Sequence, residues 1–96
     1  MKVSFSYHAI DRMRTRMNVR INTNDILDIS DFVEVRKYFH TKYKCEVSNF
    51  VHKDVSLKTV LVVNKQKRQV LTAMNDGVVV DDALRQLSKY RSSVIF

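Results

Sequence analysis

The amino-acid sequence predicts an α+β domain with two N-terminal helices, a four-stranded, mostly antiparallel sheet and a C-terminal helix. Apolar residues recur at helical spacing near the N-terminus, and from about Val33 they take the period of two that is typical of strands. A short polar link between the last two predicted strands favours antiparallel pairing. With 96 residues, 45% of them hydrophobic, the range 1–96 predicts a single domain around one core.

The first helix is predicted over residues 6–18. The Ser6 hydroxyl is suited to cap it, because this oxygen can accept hydrogen bonds from N–H groups of the first turn. Asn18 is suited to end it, since asparagine tolerates the left-handed conformation. Apolar residues at the helical period predict the packing face, which consists of Ala9, Ile10, Met13 and Met17.

A short second helix is predicted from Thr23 to about Asp31 or Phe32, because Asp25 puts negative charge in its first turn. A last helix is predicted from Asp81 or Asp82, where an aspartate can cap it. The apolar residues that follow at helical spacing predict its packing face: Ala83, Leu84, Leu87 and Tyr90.

Four strands are predicted between these helices, in segments rich in Val, Thr, Tyr and Phe: 33–40, 43–52, 57–63 and 69–75. The third segment is a nearly continuous apolar run, which predicts the central strand of the sheet. The polar link over residues 64–68 predicts a hairpin between the last two strands.

The positive charge of the chain favours a polyanionic partner. The formal net charge is +7, and the cations concentrate in residues 1–20, 34–44 and 64–69, away from most of the acids. Such clusters attract phosphate backbones by displacing their counterions. The alternative is a soluble surface with a positive bias and no specific partner.

Several functional classes are excluded by composition. No run of about 18 apolar residues predicts a membrane-spanning helix, and no signal-peptide pattern opens the chain, so a cytoplasmic location without membrane attachment is expected. Cys45 is the one cysteine and has no partner for a disulfide or a multi-cysteine zinc site. One glycine and no proline exclude the glycine-rich phosphate loops.

The first helix carries the strongest candidate site. His8, Arg12 and Arg16 recur every four residues and share one stripe opposite the apolar face. Arginine binds phosphate through paired hydrogen bonds, and histidine can move a proton near neutral pH. The stripe therefore predicts a site that holds a phosphodiester and transfers a proton. A solvated helix face with His8 bonded near the helix start is the competing interpretation.

Other candidate residues carry weaker signals. A hairpin over the first two strands is compatible with an approach of His40 to His52, and the sequence leaves their register and roles open. No histidine pair has metal-binding helix spacing and no acidic cluster joins the histidines, so neither a metal nor another cofactor is expected. Aromatic residues among the basic ones could stack on unpaired bases or pack in the core: Tyr7, Tyr38, Phe39, Tyr43 and Phe50.

Residues 8–16 read H-A-I-D-R-M-R-T-R. They resemble the H-A-x-x-R-M-x-x-R opening of a group of small bacterial and phage domains of unknown function, similar to the RelE- and BrnT-type ribonuclease toxins. The resemblance covers about residues 5–75 and implies a RelE-like α+β fold. The chain lacks the Gly-Ile turn that usually follows this opening and the arginine-rich strand end of BrnT-type toxins.

The resemblance implies a metal-independent endoribonuclease of the toxin–antitoxin type. In that reaction the RNA 2′-hydroxyl attacks the adjacent phosphorus, with proton transfer by His8 and phosphate binding by Arg12 and Arg16. RNA is then the expected partner, free or on the ribosome, and an antitoxin is a further one. The remaining basic residues would hold the flanking backbone: Arg14, Arg20, Lys37, Lys42, Lys44, Lys65, Lys67 and Arg68.

Two further functions are compatible with the sequence. The same basic face could belong to a nucleic-acid-binding protein without catalysis, which would need no histidine. It could also meet an acidic protein surface, as in a small phage-type protein that binds and inhibits a host protein. Loss of cleavage in a His8 variant separates the first function from the other two, and competition between RNA and a protein partner separates those two.

Overall fold

A computed structural model describes residues 1–75, and all statements about structure concern that range. One helix, α1, spans Tyr7–Met17. One strand precedes the helix, β1 at Lys2–Phe5. Five strands follow it: β2 at Leu27–Asp28, β3 at Phe32–His40, β4 at Cys45–His52, β5 at Thr59–Asn64 and β6 at Gln69–Asn75. Short 3-10 turns at Ile29–Asp31 and Val55–Leu57 precede β3 and β5.

The capping residues predicted for α1 act as expected. The Ser6 hydroxyl accepts a hydrogen bond from the Ala9 N–H at 3.1 Å, and Asn18 ends the helix in the left-handed conformation with φ 55°. Ala9 and Met13 are buried in the core, and Ile10 and Met17 pack against it at half-burial. The prediction of the first helix and of its packing face is therefore confirmed.

The strands form one mixed sheet in the order β2-β1-β6-β5-β4-β3. β3 with β4, β4 with β5, and β5 with β6 are antiparallel neighbours. β1 runs parallel to β6 but pairs with it only at Ser4–Gln69 and Phe5–Val70. On its other side β1 pairs with β2, which is antiparallel to it.

The predicted fold class is wrong, because this part of the chain holds one helix and a six-stranded mixed sheet rather than two N-terminal helices and a four-stranded sheet. The segment expected to form the second helix instead contains β2 and a 3-10 turn. Asp25 accepts a hydrogen bond from the Asn22 N–H at 2.8 Å and so closes a turn instead of starting a helix. Pairing of Leu27 with Val3 outweighs the weak helical tendency of so short a segment.

The four strands predicted after residue 33 are present as β3 to β6, within a few residues of the expected bounds. β5 lies inside the sheet, and its two faces are both buried, because Leu61 and Val63 pack on one side while Val60 and Val62 pack on the other. Burial on both faces explains its continuous apolar run. The helix predicted from Asp81 or Asp82 lies outside the described residues.

The largest apolar cluster lies where α1 meets the sheet. Ala9 and Met13 of the helix pack there against side chains from four strands: Val3, Phe5, Phe50, Leu61, Val63, Val70 and Ala73. The segment between α1 and β3 contributes the buried Ile29 and the half-buried Leu27. These contacts hold α1 against β6 and define which helical face points away from the core.

α1 also takes over hydrogen bonding where β1 ends. Within residues 1–75 no strand pairs with the β6 edge on the β1 side beyond Val70, and carbonyl groups there accept hydrogen bonds from α1 and its cap. The Ser6 hydroxyl donates to the Leu71 carbonyl at 3.0 Å, and the Arg16 guanidinium donates to the Ala73 carbonyl at 3.0 Å. The helix thus lies along the strand edge, where it satisfies backbone groups that would otherwise lack a partner.

Replacing Ser6 with alanine removes both the N-cap of α1 and the bond to β6. We expect Ser6→Ala to lower the free energy of unfolding by about 1–2 kcal/mol, measured by urea denaturation. Ser4→Ala is the matched control, because the exposed Ser4 hydroxyl makes only a 3.4 Å contact to the Arg68 carbonyl. Equal effects of the two substitutions would contradict the role assigned to Ser6.

Candidate functional site

A cleft of about 220 Å³ opens between α1 and the sheet. One wall is the helical stripe of His8, Arg12 and Arg16. The other wall comes from the end of β3 and the turn that follows it, and residues of β5 and β6 form the base: Val62, Thr72 and Met74. The three residues predicted from helical spacing therefore line one concave surface.

The stripe faces the cleft because the opposite side of α1 is committed to the core. Ala9 and Met13 are buried there, which rotates His8, Arg12 and Arg16 toward the sheet face that carries Thr72 and Met74. The Arg12 Nε donates to His8 Nε2 at 3.4 Å. Arg16 is anchored by its bond to the Ala73 carbonyl through one nitrogen, which leaves its other guanidinium nitrogens available to an anion.

Three rings form the opposite wall. The His40 and Tyr43 ring centroids are 4.5 Å apart, and those of Tyr38 and His40 are 6.1 Å apart. Tyr43 also reaches α1, because its ring lies 6.3 Å from the His8 ring in an edge-on arrangement. The Lys42 ammonium lies 5.8 Å from the Tyr43 ring centroid and adds a positive charge to this wall.

The environment of His8 favours its neutral form. Partial burial lowers the pKa of His8 below its ordinary value of 6.5, because the charged imidazolium loses contact with water. The positive charges of Arg12, Lys42 and Arg16 lower it further, and the carboxylate of Asp11 opposes them. At neutral pH the imidazole is therefore uncharged and able to accept a proton.

The other predicted nucleic-acid contacts are spread over the molecule. Lys42 lines the cleft. Strand alternation puts Lys37 on the opposite side of β3 from Tyr38, and Lys37 forms an ion pair with Glu46 at 3.2 Å. Lys65 is paired with Glu34 at 2.8 Å, and Arg14 with Asp11 at 3.1 Å.

Four more of the predicted contacts lie in exposed turns and loops, and they do not line the cleft in the described part of the chain: Arg20, Lys44, Lys67 and Arg68. Lys44 and Arg68 occupy left-handed positions, with φ of 53° and 51°. These residues extend the positive surface beyond the cleft without joining the stripe.

His40 and His52 do not come together. His40 pairs with Cys45 at one end of the β3–β4 hairpin, and His52 pairs with Phe32 at the other. His40 joins the cleft, and its Nδ1 accepts a hydrogen bond from the Tyr43 N–H at 3.3 Å. His52 makes the same type of bond with the Asp54 N–H at 2.9 Å, but outside the cleft.

The convergence of Tyr38, His40 and Tyr43 on the helical stripe is the part of the site that sequence reasoning missed. A signal was present, because Tyr38 and His40 are two residues apart and share one face of a strand. The sequence does not reveal that this face meets α1, since that depends on the packing of the helix beside β6.

Within residues 1–75 no group of three or more His, Cys, Asp or Glu side chains is arranged to hold a metal ion. The same range contains no helix long and apolar enough to cross a membrane, α1 having 11 residues.

Comparisons of the chain with protein-family models, with curated proteins and with solved structures gave no match. The assignment of a function therefore depends on the geometry of the cleft and on the motif in α1.

We expect His8 to titrate below pH 6.5 in an NMR titration of the imidazole, and Arg12→Gln to raise its pKa toward 6.5. Because the folded-state pKa is lowered, the unfolded chain binds the proton more tightly. The stability contributed by neutral His8 is fully present above pH 6.5 and is lost as pH falls through the folded-state pKa. Lys58→Gln removes an exposed charge elsewhere and should leave the His8 titration unchanged.

Proposed function

We propose that this protein is a metal-independent endoribonuclease whose active site is the cleft between α1 and the sheet. The observation that carries the proposal is that His8, Arg12 and Arg16 follow one another along one helix and line the same concave surface. Burial and the neighbouring cations lower the pKa of His8 there, which favours its neutral form. A base beside two phosphate-binding cations is the combination needed to activate a 2′-hydroxyl next to a phosphodiester.

The chemistry assigns a role to each of the three residues. When bound RNA displaces the hydrogen bond from Arg12 Nε, His8 Nε2 takes the proton of the 2′-hydroxyl, and the 2′-oxygen forms a bond to phosphorus. The bond between phosphorus and the 5′-oxygen breaks, and the departing oxygen takes a proton from water. The products are a 2′,3′-cyclic phosphate and a 5′-hydroxyl end, and His8 returns its proton to solvent.

The two arginines stabilise the negative charge that builds on the phosphate oxygens. In the free protein the hydrogen bond from Arg12 Nε to His8 Nε2 keeps this guanidinium beside the base. Once the 2′-hydroxyl replaces that bond, the guanidinium can hold the phosphate close to His8. The bond from Arg16 to the Ala73 carbonyl fixes its guanidinium before substrate arrives, which reduces the entropy lost on binding.

The toxin–antitoxin type is inferred from the resemblance of residues 8–16 to the opening of the small domain family described above. An enzyme of this type acts in the cytoplasm on free or ribosome-bound RNA. An acidic antitoxin that covers the cleft and the exposed basic turns would inhibit it by charge complementarity.

Cleavage assays with labelled single-stranded RNA in EDTA and with ribosome-bound mRNA test the proposal. We expect cleavage by the wild-type protein, with His8→Ala and the Arg12→Ala/Arg16→Ala pair each at least about 100-fold slower. His52→Ala/Lys53→Ala is the matched control, since it removes one histidine and one cation outside the cleft. RNA binding without cleavage would indicate a non-catalytic nucleic-acid-binding protein. The absence of both RNA binding and RNA cleavage would favour the protein-binding alternative.

The pH dependence of cleavage provides an independent test of His8 as the base. We expect kcat/KM to fall as pH drops through the lowered pKa of His8, because the protonated imidazole cannot accept a proton. Arg12→Gln should move this acidic limb to higher pH while it lowers the maximal rate. An acidic limb that stays in place in this variant would exclude His8 as the titrating base.

A further inference from the structure

We propose that the cleft binds an unpaired nucleotide of RNA, with its base stacked on the Tyr43 and His40 side and its phosphate on Arg12 and Arg16. The substrate class is therefore single-stranded RNA rather than duplex. This inference rests on the proposed function only for the choice of RNA as ligand, and it requires no catalysis.

The aromatic wall keeps ring surface that packing against the core leaves uncovered. Tyr38 and Tyr43 pack against the buried cluster of Val47, Val62 and Leu71. Both tyrosines and His40 are nevertheless only half-buried, and all three line the cleft. Tyr43 and His40 lie 4.5 Å apart at an interplanar angle of 44°. Nucleic-acid bases stack on such rings irrespective of base identity.

The wall is held in place before a ligand arrives. The Tyr38 hydroxyl donates to Asn49 Oδ1 at 3.0 Å, and the Tyr43 N–H donates to His40 Nδ1 at 3.3 Å. Because Nδ1 accepts the second bond, the His40 ring presents an N–H at Nε2, which can donate to a base carbonyl or a phosphate oxygen. A fixed aromatic surface costs little conformational entropy on binding.

The positive charges are placed for the phosphate of the same nucleotide. Arg12 and Arg16 lie on the α1 wall, and Lys42 lies beside the Tyr43 ring on the other. Between them Val62 and Met74 form a largely apolar base of the cleft, which suits a nucleobase better than a hydrated phosphate. The arginines of the α1 wall thus suit the phosphate of a nucleotide, and the rings of the other wall suit its base.

The shape of the site discriminates against duplex RNA. In a duplex the base faces are covered by neighbouring bases, and a convex backbone of phosphates and sugars faces outward. Such a backbone could contact the exposed cations of the turns, but it cannot place a base in a concave cleft of about 220 Å³ without unpairing. Single-stranded RNA carries no such cost.

The test measures binding of 2′-O-methyl RNA, which lacks the 2′-hydroxyl and so cannot be cut. Three ligands are compared by fluorescence anisotropy or competition: a single-stranded oligonucleotide containing 2-aminopurine, the same sequence in a duplex, and a free nucleoside monophosphate. We expect the single strand to bind at least about 10-fold more tightly than the duplex, with stacking quenching the 2-aminopurine fluorescence.

Three variants of aromatic residues in and near the hairpin turn separate loss of stacking from other effects on binding. Tyr43→Leu should weaken single-strand binding roughly 5- to 100-fold, the range produced by loss of one stacking ring. Phe39→Leu should have no such effect, because Phe39 is 64% exposed and alternates away from the Tyr38 side of β3. His40→Asn keeps a side-chain acceptor for the Tyr43 N–H, so a loss of quenching in this variant is due to the missing ring.

Equal binding of single strand and duplex, or equal effects of Tyr43→Leu and Phe39→Leu, would overturn the inference. The comparison between strand and duplex uses the wild-type protein and remains decisive if Tyr43→Leu does not fold. Binding of the monophosphate as tight as that of the oligonucleotide would overturn RNA as the ligand in favour of a free nucleotide. Stacked single-strand binding by a protein that never cuts RNA would support this inference and refute the catalytic proposal.

Discussion

The structure depends on how the backbone carbonyls along the β6 edge find hydrogen-bond donors. β1 pairs with β6 over only two residues, and beyond Val70 the strand needs other donors. Ser6 and Arg16 supply them to the Leu71 and Ala73 carbonyls, so the helix lies along the strand where a neighbouring strand would otherwise pair. These two bonds satisfy the strand carbonyls, and together with the burial of Ala9 and Met13 they hold α1 beside β6.

The electrostatics of the cleft follow from that position. With Ala9 and Met13 turned into the core, the opposite side of α1 brings His8, Arg12 and Arg16 against the hairpin turn that carries Lys42. Partial burial lowers the pKa of His8, and the charges of Arg12, Lys42 and Arg16 lower it further. The proton affinity of His8 therefore depends on two chain segments that are distant in sequence. Arg16 serves both the fold and the cleft, since one of its nitrogens donates to the Ala73 carbonyl of β6 and its side chain lines the cleft.

The parts of the fold that could be predicted from sequence have local causes. The Ser6 cap, the left-handed Asn18 and the apolar period of α1 lie within a few turns of one another, and the hairpin strands show alternation over many residues. The prediction of a second helix is wrong because Leu27 and Asp28 pair with β1. No local sequence pattern reveals the strength of that contact. β1 itself was missed: a four-residue strand carries a weak pattern, and its parallel partner lies more than 60 residues away.

The sequence by itself determined the chemistry of the helical stripe, because spacing of four residues puts His8, Arg12 and Arg16 on one side of any α-helix. It also determined the strands of the antiparallel hairpins, where alternation and short turns act locally. Only the tertiary structure decided that the stripe faces the aromatic rings of Tyr38, His40 and Tyr43 and that Lys37 and Lys65 lie in ion pairs away from it. The physical reason is that these juxtapositions depend on the docking of α1 beside β6 and on strand register, which arise from contacts between residues far apart in the chain.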